Sequence, residues 1–349
     1  MLIVVLVAVV IGAAAYFGST SGGTSAGSTS ADSTGGATST GDASPGSTAS
    51  ATSTGDASPG STASAASTVR PPGGGSTGGG TSTGGTSGGG GSGGAGLPGG
   101  SASGCLADLA KCGLPNAGNT GVPAGTALSV ISGDYTITTD GAVISGKEFH
   151  GCVDVQAANV TIKNSRFFSS GCAIRNHSTG LTISDVEISC DNDPHLTGVG
   201  DANFTVIRAN IHNCENGFDI RANVTVRDSY IHDLYYGDGA HTDGAQLNQG
   251  ASNITLTHNT IISPNPGGTS AIGIWNEVDP QASNVLVSGN LLAGGAYTLY
   301  CPRRNSTNVQ IVNNRFSSGE YGSTDSCTSG HVAAFTGNVT DSTHAPLGG

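Results

Sequence analysis

Three stretches repeat one pattern: Asn203-Phe-Thr-Val-Ile-Arg-Ala-Asn-Ile-His212, Asn223-Val-Thr-Val-Arg-Asp-Ser-Tyr-Ile-His232 and Asn253-Ile-Thr-Leu-Thr-His-Asn-Thr-Ile-Ile262. Each opens on Asn, alternates apolar and polar residues, crosses a polar turn and reaches a second apolar position. Working outward, seven segments align without gaps, beginning at Asn159, Gly180, Asn203, Asn223, Asn253, Asn284 and Asn308 at spacings of 20 to 31 residues. Their second apolar positions are Phe167, Ile188, Ile211, Ile231, Ile261, Leu292 and Phe316.

Alternation over short runs is the signature of a strand with one buried face, and Asn, Asp and Gly between the runs tolerate left-handed backbone. No helix-length amphipathic segment interrupts them. One coil of short strands cannot bury its apolar face alone, but coils stacked at strand spacing create a continuous core. The sequence therefore predicts an all-β fold, a parallel β-helix over residues 114–340, with the repeat starts in register. The coils from Asn223 and Asn253 are the longest, so their extra residues are expected to form loops over a functional surface.

The flanks set the organisation. Leu2 to Phe17 is an apolar run of roughly sixteen residues, short for a membrane span and suited to a secretion signal. Ala13-Ala14-Ala15 offers a cleavage site, yet no Lys or Arg precedes the run, so a cleaved signal and an uncleaved membrane anchor both stay open. Residues 18–104 are Gly, Ser, Thr and Ala-rich, and the segment from Thr38 to Pro45 recurs from Thr52. Such a segment lacks the apolar side chains to offset ordering entropy and reads as a disordered stalk. The division expected is 1–17 signal or anchor, 18–104 linker, and 105–349 β-helix domain, in an extracellular or surface-anchored monomer.

The formal net charge is −12, and lysine occurs only at 111, 147 and 163. Without a basic stripe to neutralise phosphates, nucleic-acid binding is not expected. All eight cysteines follow residue 100. Cys152/Cys172, Cys190/Cys214 and Cys301/Cys327 are each about one coil apart, and Cys105/Cys112 can close a local loop, so four disulfides are expected. No CxxC occurs, which disfavours zinc. Asn-x-Ser/Thr sequons at Asn159, Asn176, Asn203, Asn223, Asn253, Asn305 and Asn338 mostly coincide with repeat starts, where turn geometry explains the Asn.

Gly113-Leu-Pro-Asn-Ala-Gly-Asn-Thr-Gly-Val-Pro-Ala-Gly-Thr126 and Ala240-His-Thr-Asp-Gly-Ala-Gln246, together with the repeat, resemble a subset of the secreted right-handed parallel β-helix proteins. That superfold includes pectate lyases, polygalacturonases, chondroitinase B and mannuronan epimerases. The resemblance covers residues 114–340 and implies a carbohydrate-active protein. His241-Thr-Asp-Gly244 is similar to the Asn-Thr-Asp-Gly of polygalacturonases, but Gln246 and the absence of a following Arg-Ile-Lys depart from that pattern. Asp193-Pro-His195 is similar to the Asp-Pro-His-Asp of mannuronan epimerases, with Leu196 in place of the last aspartate.

Aligning the third strand of each coil on the inward residues Ile174, Val199, Ile220, Leu247, Ile274 and Leu299 turns Asp219, Arg221, Gln246, Asn248, Trp275 and Tyr300 outward onto one face. Trp275 is the only tryptophan, and an exposed aromatic beside hydrogen-bonding groups suits the apolar face of a sugar. Gln246, Asn248, Trp275 and Tyr300 are thus candidate substrate-binding residues. Beside them lies a dense titratable loop holding His232, Tyr235, Tyr236, Asp238, His241 and Asp243, with His212 one coil before His232.

Elimination or epimerisation at a uronic acid needs a cation on the carboxylate, a base for the ring proton and an acid for the leaving group. Arg221, His241 and Tyr235 or Tyr236 are candidates for those roles. Because His, Tyr and Arg crowd one site, a lyase or epimerase is the expected activity, whereas hydrolysis would instead use two carboxyls among Asp219, Asp238 and Asp243. Asp191, Asp193 and Asp201 are candidate calcium ligands. A rival from another class is a non-catalytic spike that binds glycans, for which Trp275 and Tyr300 matter but His241 and Asp243 do not.

Overall fold

The computed structural model describes residues 104–168, 172–190, 195–237, 239–275, 279–304, 306–325, 327 and 330–348. The apolar run, the stalk up to residue 103, Asp191, Asp193 and Asp238 lie outside the described residues.

Within them the chain winds as a parallel β-helix. One sheet has ten strands whose spatial order is their sequence order, from Ser129–Ser132 through Asn210–His212 and Tyr230–Ile231 to Val339–Thr340. A second, sixteen-stranded sheet takes the other segments of each coil, including the long strands Asn216–Arg227 and Asp243–Thr257. Every pairing between named strands is parallel, and parallel crossovers of this kind are right-handed.

The repeat falls into register as read. Phe167, Ile188, Ile211, Ile231, Ile261, Leu292 and Phe316 pair in turn across successive coils. All seven are buried and form part of one continuous core. Three disulfides run along the stack, joining Cys152 to Cys172, Cys190 to Cys214 and Cys301 to Cys327, with Cα separations of 4.8, 4.8 and 5.0 Å. That is one coil rise. Cys105 and Cys112 close the local loop.

The repeat-start asparagines hold left-handed φ near 55°, as Asn223 (56°) and Asn284 (54°) show, and Gly180 (73°) substitutes at the position where Asn is absent. Their side chains form an external ladder in which the Nδ2 of Asn223, Asn253, Asn284 and Asn308 each donates to the Oδ1 one coil back, at 2.8 to 3.2 Å. A second ladder, which the repeat starts did not reveal, is buried. Asn259, Asn290 and Asn314 each donate to the next asparagine along the stack at 3.0 to 3.1 Å, ending on Asn338, and all four cap carbonyls, those of Val226, Leu256, Val287 and Ile311. Sequons at Asn203, Asn223, Asn253 and Asn338 therefore have their amides committed to structure.

Residues 104–128 form a strap outside the coils. At its start the backbone N–H groups of Cys105 and Leu106 donate to the carboxylate of Asp341 in the last coil, at 3.0 and 2.9 Å. Leu114 then packs with Leu291, Gly121 donates its N–H to the Arg208 carbonyl at 2.9 Å, and Ser129–Ser132 opens the first coil. The strap thus spans the stack from its last coil to its first. Asp341 is held in turn by Arg315 Nε at 2.8 Å, both side chains being buried. Among the described residues no helix is long and apolar enough to cross a membrane.

Candidate functional site

The third strand of three successive coils starts at a glycine pressed against the core. A Cβ on Gly198 would lie 2.9 Å from Ile211, and one on Gly217 would lie 2.7 Å from Ile231. Gly244 occupies the same place against Ile261 one coil on. Only glycine allows this approach, which swings Asn216 and Asp243 onto the start of the open face.

Along that face the pairing differs from the sequence alignment in two places. Ile174 faces Val199, Ile220 faces Leu247 and Leu247 faces Ile274, but Val199 faces Phe218 rather than Ile220, and Leu299 faces Ile272 rather than Ile274. Each is a slip of two residues. It keeps the same side chains outward, because strand side chains alternate with period two, so apolar pattern alone cannot detect it. The resulting outward row is Arg175, Gly200, Asp219, Gln246, Gly273, Tyr300 and Asp325.

Gly273 is the gap in that row, and Trp275 fills it. A Cβ on Gly273 would sit 2.7 Å from the indole Nε1, so the ring lies folded back over the glycine. From there Nε1 donates to Asp243 Oδ2 at 3.4 Å, and the ring packs on Tyr300 with centroids 5.1 Å apart. Tyr300 meets Tyr297 edge-on at 5.4 Å, and Tyr297 meets the exposed Tyr321 at 6.0 Å. These four rings make a half-exposed aromatic strip running along the stack.

Beside the strip a chain of amides crosses the coils. The Asp243 N–H donates to Asn216 Oδ1 at 2.8 Å, Asn216 Nδ2 donates to Gln246 Oε1 at 3.5 Å, and Gln246 Nε2 donates to Asn248 Oδ1 at 3.1 Å. Asn248 Nδ2 then donates to Asp219. Burial raises the Asp219 carboxyl above its usual range despite that bond.

The Asp243 carboxyl is 1% exposed. It accepts the hydroxyl of Ser270 on one oxygen and the Trp275 indole N–H on the other. Burial drives its pKa up to about 7, against the pull of these two donors, and the negative charge of Glu215 adds to the rise. Glu215 was not foreseen in the sequence. Its Oε1 accepts the backbone N–H of His241 at 2.8 Å, and its Oε2 lies 3.7 Å from His195 Nδ1. The only signal for it is its place before Asn216, the residue that binds Asp243 across the coils.

The other predicted residues scatter. His241 is exposed at the edge of the site, fixed by its main chain to Glu215. Tyr235 takes the His195 ring edge-on at 5.0 Å, and its carbonyl accepts the Thr242 hydroxyl. Tyr236, 57% exposed, rests on Gly267 and lines a separate cavity of about 330 Å³ with Pro264 and Asn265.

His232 directly follows the strand Tyr230–Ile231 of the ten-stranded sheet and is not on the open face. Its ring nitrogens contact Asp233 at 2.7 Å and Asn210 at 2.8 Å, it stacks on Tyr230 at 4.0 Å and lies 5.4 Å from His212, and burial lowers its pKa. Arg221, with a side chain 69% exposed, lies 3.8 Å from Asp201. It stands five residues beyond Asn216, roughly 16 Å along the strand at about 3.3 Å per residue. Among the described residues no group of three potential metal ligands converges, and Asp201 faces Arg221 instead.

Residues 129–278 match the family model described as right handed beta helix region. No curated protein matches. Among solved structures, the Dettilon tailspike protein is similar at 12% identity and a TM-score of 0.39, over 62% of this chain and 53% of the tailspike chain. This chain thus spans about half the length of that tailspike. The parallel coils, the single apolar interior and the match over residues 129–278 make the described chain a right-handed parallel β-helix.

Proposed function

We propose that the open face is a polysaccharide-binding site and that Asp243 and Glu215 cleave a glycosidic bond there. The observation that carries this reading is an aromatic strip, Trp275 with Tyr300 and Tyr297, whose first ring lies against a carboxyl that keeps its proton near neutral pH. Aromatic rings stack on the apolar faces of sugars, and the amides of Gln246 and Asn248 beside them bind hydroxyls.

A carboxyl that holds its proton, with a second carboxyl beside it, supplies the groups that acid and base catalysis of glycoside cleavage needs. A sugar that displaces the indole edge from Asp243 Oδ2 brings its glycosidic oxygen to the Asp243 proton. The proton goes to the leaving oxygen as the carbon–oxygen bond breaks, and water adds to the ring carbon, giving its proton to the Glu215 carboxylate. Elimination or epimerisation at a uronic acid would instead call on Arg221 beside His241. The span of strand between Arg221 and the Asp243 level favours hydrolysis. A non-catalytic spike would keep the aromatic strip and leave Asp243 dispensable.

The full chain should be incubated with neutral and anionic polysaccharides while both new reducing ends and absorbance of unsaturated uronate are followed. Reducing ends without unsaturated product are expected, with Asp243→Asn lowering turnover by roughly 10² to 10⁴. Unsaturated product would establish the lyase, and binding without turnover would establish the spike.

A further inference from the structure

Resting on the reading of this face as a glycan site, we infer that its substrate is a neutral polysaccharide rather than a polyuronate. Acidic groups surround the aromatic strip: Glu215 beside the protonated Asp243 at its start, Asp219 beside the amides, and Asp325 next to Tyr300 in the outward row. The guanidinium groups nearest them are matched by acids. Arg221 faces Asp201 at 3.8 Å, and Arg303 Nη2 donates to Asp325 Oδ2 at 3.2 Å.

The amides do not reverse this polarity. Asn216, Gln246 and Asn248 each hand a proton to the next group, and the series ends on the Asp219 carboxylate. Beyond its rings the face therefore offers a ligand one remaining N–H from each amide and the acceptor oxygens of the carboxyls. A neutral sugar has hydroxyl donors that meet those acceptors and apolar ring faces that meet Trp275 and Tyr300. A uronate would bring a further carboxylate among these acids, with Arg175 standing two strands beyond Asp219 at the far end of the row from Trp275, and like charges at close range oppose binding.

The proposal also fixes what salt should do. Attraction to neutral glycan depends on stacking and hydrogen bonds and should change little with ionic strength, whereas binding of an anionic polymer would be repelled most at low salt.

The test is affinity electrophoresis and calorimetry of the full chain with a neutral glucan, a neutral xylan, chitosan, polygalacturonate and alginate, at about 20 and 200 mM salt. At least tenfold tighter binding of a neutral polymer, insensitive to salt and reduced at least tenfold in Trp275→Ala, is the expected result. Polyuronate binding as tight as neutral binding overturns the inference while leaving the face a glycan site. Chitosan binding that dominates at low salt and collapses at high salt overturns it in favour of a cationic substrate. If none of the polymers binds, the glycan-site reading itself falls, and the inference with it.

Discussion

The indole of Trp275 closes over the carboxyl of Asp243, with Nε1 and Oδ2 3.4 Å apart, although the two residues belong to neighbouring coils and stand 32 positions apart in the chain. The closure depends on Gly273, whose missing side chain leaves the space in which the ring lies.

Gly273→Ala should therefore lift the indole, because the added methyl would sit 2.7 Å from Nε1 and the ring is the more mobile partner. As Trp275 is the only tryptophan, its fluorescence reports the change alone. A red shift in emission and a loss of glycan affinity close to that of Trp275→Ala are expected. An unchanged spectrum would show that the ring is not seated on Gly273.

Stability should fall as pH rises from about 4 to 7. Asp243 holds its proton to about pH 7 when folded, whereas the unfolded carboxyl releases it near the usual 3.9, so between those values the folded state binds more protons. The contribution is fully present below about pH 4 and lost as pH passes through 7, and for such a carboxyl it is on the order of 4 kcal/mol. Asp243→Asn should flatten this part of the profile, measured by urea unfolding at pH 4.5 and pH 8. A variant whose stability keeps the wild-type slope would mean that another group sets it.

Asp341→Ala should unlatch the strap. The substitution leaves the buried Arg315 guanidinium without its carboxylate and frees the N–H groups of Cys105 and Leu106. Breaking a buried pair from one side typically costs about 3 to 5 kcal/mol. Limited proteolysis should then cut within residues 104–128 before the coils are attacked. Cleavage at wild-type rates would mean that Leu114 and Gly121 hold the strap by themselves.

The sequence by itself determined the stack. In a solenoid each residue's partner is its equivalent one coil away, so Asn203, Asn223 and Asn253, with Ile211, Ile231 and Ile261, carry the register in a pattern readable along one chain. The same logic placed the disulfides, whose cysteines are a coil apart. The buried asparagines were also legible in principle, since Asn259, Asn290 and Asn314 each precede the second apolar position by two residues.

Only the tertiary structure decided the chemistry of the face. Coil lengths vary, and a slip of two residues leaves the apolar pattern intact, so whether Ile220 faced Val199 or Asp201 could not be settled from polarity. The same indifference hid the seat of Trp275, because an outward residue can fold back along its own strand over a glycine. Whether a carboxyl is charged depends on what covers it. Asp243 and Asp219 carry the same side chain on the same face and burial raises both, but the near-complete burial of Asp243, with the charge of Glu215, holds its proton to about pH 7 against the donors of Ser270 and Trp275.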